Sequence, residues 1–183
     1  WGQGFMNRYK KCVICFVVIP IILSNYQNVF SQNKSALYID LLTSNPPNSS
    51  IVITDPLGRR TGVKKFINGS RDIDIGFEEI PSSYKAYEGS PANDVTGEPS
   101  ITGRLMIGIT QDVLPGTYHM TIYSSSSTVY KVNIRQRDLT GKSGNFLNLK
   151  GFITVNTIAQ YNISFDPTPG APAPTITKIV TFQ

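Results

Sequence analysis

The chain reads as all-β, an antiparallel β-sandwich of about seven to nine strands preceded by a signal peptide, and three observations predict this. Apolar residues recur at period two from Ala36 onward, Gly, Pro, Ser, Asn and Asp punctuate the runs, and no segment after residue 31 carries a helical apolar stripe of useful length. At 183 residues, 40% hydrophobic and 16% charged, the chain has material for one globular domain with a real core.

The first element is not a strand. Arg8, Lys10 and Lys11 follow Met6 and precede the twelve-residue apolar run Cys12 to Leu23, the order of an export signal. Twelve residues fall short of the ~20 needed to span a hydrocarbon core, and Pro20 weakens a helix near its end. Cleavage is expected after Ser31, with Val29 and Ser31 as the tolerated residues before the cut. A retained anchor is the alternative, and the membrane would then be touched through this segment alone. Met6 reads as the translation start, with WGQGF upstream of it.

Removing residues 1–31 takes away three cations and no acids, leaving 14 Lys and Arg against 12 Asp and Glu, a balance of +2. The basic pI loses most of its meaning. Both cysteines, Cys12 and Cys15, fall inside the signal, so their C-x-x-C spacing is neither a redox nor a zinc motif. The rest of the chain has no disulfide to rely on. Residues 32–169 are expected to form the sandwich, and residues 170–183 a proline-rich link and a terminal strand.

The strands follow in order. Leu37, Ile39 and Leu41 alternate with Tyr38 and Asp40 until NPPNSS breaks the run, and SIVIT ends at Asp55. In the next piece, Asp55-Pro56-Leu57-Gly58 has Asp at the first position of a β-turn, Pro at the second and Gly at the fourth, which favours type I. Arg59 and Arg60 then begin a strand and point to opposite faces, one paired with a carboxylate and the other solvated. A phosphate loop is excluded, because Gly58 and Gly62 have neither its spacing nor a following helix.

RDIDIGFEEI reads as a strand with Ile73 and Ile75 inward and Asp72 and Asp74 in solvent. RLMIGIT, TYHMTIYS, TVYKVNIRQ, LKGFITV, AQYNISFD and TITKIVTF supply the rest. In LPGTYHM, Pro115-Gly116 makes a turn, Tyr118 stands near the start of a strand and Met120 comes two residues later. That is the spacing of the tyrosine corner of immunoglobulin-like domains, so an Ig-like sandwich is expected. Tyr118, Met120 and Ile122 should face the core, and a hairpin through SSSS should pair this strand with Tyr130, Val132 and Ile134.

A family resemblance rests on these same pieces. ITDPLGRRTG, EEIPSSYKAYEG with TGEPS, LPGTYHMTI, RQRDLTGK and GFITVNTIAQYNISFDP, in this order, resemble an Ig-like β-sandwich module of exported bacterial proteins. The resemblance covers Ile51 to Pro169. It implies an extracytoplasmic domain, periplasmic, surface-bound or secreted, often beside adhesion or repeat modules. It brings no established enzyme activity and no catalytic residues.

Catalysis finds little support in the residues. His119 is the only histidine, and no local motif marks a serine and an acid to join it. No cofactor is expected, and one His without mature Cys offers no zinc or iron set. Asp72, Asp74, Glu78 and Glu79, with Gly76 for a bend, could supply oxygen ligands to calcium, although D-x-D-x-G lacks the rest of an EF-hand loop. The simpler reading is a solvated strand face near Arg59, Arg60 or Arg71.

Phe77, Tyr84 and Tyr87 lie in a Gly/Ser/Pro-rich region and could form a stacking platform for carbohydrate, against the simpler reading that they close one end of the core. Asp55, Pro56, Gly58, Arg59, Arg60, Gly116 and Tyr118 are read as structural. The lysines and arginines are scattered along the sequence, so no nucleic-acid patch is expected. The function that emerges is a non-catalytic binding or structural module of the bacterial envelope or extracellular space, whose partners would be other envelope proteins or polysaccharide; the alternative is a carbohydrate-binding accessory domain.

Overall fold

The computed structural model of the protein describes residues 34–43, 48–68, 71–88, 103–111, 113–144 and 146–179; the expected signal peptide and its cleavage site lie outside them. These residues form eleven strands: β1 Ala36–Thr43, β2 Ser49–Thr54, β3 Arg60–Asn68, β4 Arg71–Glu78, β5 Ser83–Glu88, β6 Gly103–Thr110, β7 Gly116–Ser124, β8 Thr128–Arg137, β9 Leu147–Ile153, β10 Ile158–Phe165 and β11 Thr175–Ile179. All pairings are antiparallel. One sheet has the order β5-β6-β1-β8-β9 and the other β11-β10-β7-β2-β3-β4.

The eleven strands exceed the expected seven to nine, and residues 60–88 contribute three of them, of which β5 was not read from the sequence. That strand is hard to read: SYKAYE holds no β-branched residue and buries little, and its place depends on pairing with β6. The terminal strand β11 pairs with β10, from Gln160↔Ile179 to Ser164↔Thr175, and closes one edge of the six-stranded sheet.

Period-two alternation builds the core between the sheets. Leu37, Ile39, Leu41, Leu105, Ile107, Ile109, Val132 and Ile134 come from one sheet, and Ile51, Ile53, Met120, Ile122, Tyr161 and Ile163 from the other. Burying each such side chain is worth about 1.5–3 kcal/mol, which is how a chain without disulfides in these residues offsets its ordering entropy. Tyr130 and Tyr161 meet from opposite sheets and share a hydrogen bond between their hydroxyls inside this core. Gly151, opposite Tyr130 on β9, leaves the space its ring occupies.

Two expectations need correction. β7 and β8 do not form a hairpin: β7 pairs with β2 and β10, β8 pairs with β1 and β9, and the serine link passes from one sheet to the other. Tyr118, Met120 and Ile122 do face inward, as do Tyr130, Val132 and Ile134, but across the core. Both strands bury one face, and alternation alone cannot say whether two such faces lie side by side or opposed. Ile73 and Ile75 are likewise not core residues. Ile75 is exposed and Ile73 half-buried, because β4 is an edge strand with Ile73 opposite Phe66 and Ile75 opposite Lys64.

Candidate functional site

The DPLGRR turn is built from Asp55 outward. Its backbone oxygen accepts from Gly58 N at 2.9 Å, its N–H donates to Arg59 O at 2.8 Å, and its Oδ1 accepts from Leu57 N and Arg59 N at 2.9 Å each. Gly58 adopts φ +80°, the left-handed conformation that closes a three-residue hairpin loop after a type I turn. Asp55 is buried, and Arg59 pairs with its carboxylate at 2.6 Å.

Arg60 is paired as well, which corrects the expectation that one of the two arginines is solvated. It holds Glu79 in a forked contact, at 3.2 and 2.7 Å, and lies 4.2 Å from the centre of the Phe77 ring. The Arg60 guanidinium in turn keeps the Glu79 carboxyl below its ordinary range.

This turn meets the Tyr118 corner. Thr54 pairs with His119 across β2 and β7, and Pro56 packs where a side chain on Gly116, at φ +135°, would stand. The Tyr118 hydroxyl donates to Leu114 O at 2.9 Å, and its ring meets Phe165 edge-on at 6.2 Å. Burial, then the nearby Asp55 carboxylate, pushes the phenol up to about 12. The structural residues singled out in the sequence thus form one corner of the fold.

Three of the four candidate calcium ligands are drawn into separate ion pairs. Asp74 pairs with Lys65 at 3.5 Å, Glu78 with Lys85 at 2.7 Å, and Glu79 with Arg60. Asp72 lies in β4 opposite Ile67. Among the described residues, no group of three or more His, Cys, Asp or Glu side chains is placed to hold a metal ion. His119 sits on the outer face of β7, its Nδ1 2.6 Å from Asn162 Oδ1.

The three aromatic candidates are also dispersed. Phe77 lies on the outer face of the six-stranded sheet under Arg60, near a second group in which the Lys64 ammonium stands 5.7 Å from the rings of both Phe66 and Tyr123. Tyr84 and Tyr87 are an odd number of residues apart on β5 and point to opposite faces of the other sheet. Tyr87 is exposed on the side toward Asp74, and burial of part of the ring, then that carboxylate, raises its phenol above the ordinary value.

Tyr84 is 42% exposed and lies across Gly108, its cross-strand partner on β6, with Tyr38 of β1 beyond. A ring laid over a cross-strand glycine covers backbone that a side chain would otherwise shield. One surface of the ring rests on the sheet and the ring remains accessible from outside.

Register gathers residues around Tyr84 that the sequence kept apart. The outer face of the five-stranded sheet carries Tyr38 and Asp40 of β1, Arg104 of β6, Lys131, Arg135 and Arg137 of β8, and Lys150 of β9. The Arg135 and Arg137 guanidiniums lie 5.5 and 5.6 Å from the Tyr38 ring. Asp40 is buried among them and accepts from Arg104 at 2.8 Å and Arg135 at 3.3 Å, while Arg104 also reaches Glu88 at 2.9 Å. Sequence reasoning missed this face. Its signal was the alternation Lys131, Asn133, Arg135, Arg137 along β8, a basic strand face that Arg104 and Lys150 extend across the sheet.

A shallow cleft lies between Asp138 and Asp166. Asp138 Oδ1 accepts from Thr140 N, the Thr140 hydroxyl and Lys142 N, and Asp166 Oδ1 accepts from Thr168 N. These bonds, from threonine first, hold both carboxyls below their usual range. Each shapes its own turn. No protein family, curated protein or solved structure matches the chain.

Proposed function

We propose that the protein is an exported, non-catalytic, Ig-like β-sandwich module that serves as a binding or structural unit at the bacterial envelope or outside the cell. The observation that carries the reading is the basic cluster Arg8, Lys10 and Lys11 ahead of the apolar run Cys12 to Leu23, followed by a chain whose core is built without cysteine. The Tyr118 hydroxyl bonded to Leu114 O, four residues upstream, supports the Ig-like assignment. Determining the N-terminus of the protein recovered outside the cytoplasm tests export. Gln32 or a neighbour within a few residues is expected, and an intact chain that stays in membranes through a carbonate wash would overturn it.

Carbohydrate binding is the second reading, favoured by the accessible Tyr84 ring held flat over Gly108. A screen of soluble polysaccharides with the Tyr84→Ala variant as control tests it.

A further inference from the structure

Lys131 and Lys150 stand directly opposite each other on the outer face of β8 and β9. Like charges in that position repel and destabilise a sheet. Elsewhere on this face the charges are neutralised: Asp40 holds Arg104 and Arg135, and Glu88 holds Arg104. Among the described residues, neither Lys131 nor Lys150 has a carboxylate partner, and Arg137 has only the Tyr38 ring. Among the described residues, the five cations of the face are answered by Asp40 and Glu88 alone.

The arrangement is extended. From Lys131 to Arg137 is six residues along one strand, roughly 20 Å at about 3.4 Å per residue. That length exceeds any single small anion and suits a chain with repeated negative charges. The arginines are also held in place. Asp40 is buried on the outer face of the sheet, a costly position for a carboxylate unless it is paired, and through Oδ2 it fixes Arg104 and Arg135. Guanidiniums fixed in this way lose less freedom when they grip an anion.

We propose that the outer face of the five-stranded sheet binds a linear, carboxylate-bearing polysaccharide, with Lys131, Lys150, Arg135 and Arg137 facing its charges and Tyr84 stacking on one of its sugar rings. This deepens the carbohydrate reading above and rests on it. A glycan is favoured over single-stranded nucleic acid because the accessible rings of this face, Tyr84 on β5 and Phe152 on β9, stand on opposite edges of the sheet, roughly 19 Å apart at about 4.8 Å per strand, and Tyr38 between them is already covered by two guanidiniums. Single-strand binding stacks successive bases on successive free rings. A sugar needs one.

The test is binding of the full chain to polygalacturonate, with dextran, polyglutamate and oligo(dT) in parallel, at low and at physiological salt. Polygalacturonate is expected to bind at low salt and weaken as salt rises, and the other three to bind at least tenfold less well. Replacing Lys131 and Lys150 together by alanine should weaken binding at least tenfold while the thermal midpoint stays constant or rises, because a repulsive pair has been removed. Tyr84→Ala should weaken it several-fold, and Lys178→Ala on β11 should leave it unchanged.

Wild-type affinity in the double variant, or a fall in its midpoint, overturns the assignment to this face. Equal binding of polyglutamate or oligo(dT) overturns the glycan class, and equal binding of dextran overturns the role of charge while leaving a neutral carbohydrate reading in place. The N-terminus of the exported product is measured independently, so loss of either result does not decide the other.

Discussion

Two short loops of this protein, equal in length, do opposite things. Asp55 to Arg59 turns β2 back onto β3 within one sheet, while Ser124 to Thr128 carries the chain from β7 in one sheet to β8 in the other. The difference lies in where the hydrogen bonds go. In the first loop the Asp55 side chain and backbone satisfy Leu57, Gly58 and Arg59, all within four residues. In the second, Ser124 Oγ lies 3.2 Å from Ser49 Oγ, Ser125 N donates to Asn48 O, Val155 N donates to Ser127 Oγ, and Asn156 N donates to Ser124 O. Ser124 Oγ also bonds locally to Ser126 O, at 2.6 Å, but those other bonds of the serine link go to neighbours in space, whereas the aspartate turn holds itself.

If that contrast is right, the turn should be sensitive to its own residues. Asp55→Ala strands two backbone donors and the Arg59 guanidinium, and is expected to cost about 2–3 kcal/mol in denaturant unfolding. A loss well under 1 kcal/mol would mean that the turn is shaped from outside. A Cβ at Gly58 meets no atom within 4 Å, so the cost of Gly58→Val is chiefly conformational, about 1–2 kcal/mol for a β-branched residue at positive φ. An unchanged midpoint would remove the strain argument.

The serine link should respond through its partners. Ser124→Ala is expected to cost about 1 kcal/mol, and a double-mutant cycle with Ser49→Ala should show coupling, although the two residues are 75 positions apart. Strict additivity would show that the crossover is set elsewhere. Tyr118→Phe, at the corner beside the turn, is expected to cost about 1 kcal/mol by leaving Leu114 O without its hydroxyl donor. The wild-type phenol also carries a pH signature. Its folded value of about 12 lies above the ordinary value of 10.0, so this stabilisation is complete below pH 10 and is lost as pH rises toward 12. Stability curves of wild type and Tyr118→Phe should therefore converge between those limits.

The smallest effect belongs to Arg60. Its ion pair with Glu79 is solvent-exposed, so Arg60→Ala should leave the neutral-pH midpoint close to wild type. Glu79 is held below its ordinary range, so whatever the pair contributes is present above that range and disappears as pH falls through the lowered value. A clear midpoint loss for Arg60→Ala at neutral pH would put this exposed pair on a level with the buried Asp55–Arg59 pair.

Parts of the molecule were legible because their causes are local. Leu37, Ile39 and Leu41 alternate with polar residues, and this alone assigns their faces. Asp-Pro-x-Gly carries its turn geometry in residue types, and Pro-Gly-x-Tyr its corner. The basic outer face was not legible. Lys131, Lys150, Arg104 and Tyr84 come from four strands, and only the registers of β5, β6, β1, β8 and β9 set them side by side. The aromatic candidates failed to gather for a related reason: Tyr84 and Tyr87 share a strand but not a face, and Phe77 belongs to the other sheet.

By itself, the sequence determined the all-β class, the Asp55 turn, the Tyr118 corner and the inward faces of the central strands. These depend on steric limits at φ, on side-chain bonds spanning a few residues, and on the two-residue repeat of an extended chain. Only the tertiary structure decided that β7 and β8 lie in different sheets, that β4 turns Ile73 and Ile75 away from the core, and that scattered cations meet on one face. Strand pairing joins residues far apart in the chain, and many pairings satisfy the same alternation; packing two apolar faces against each other selects among them.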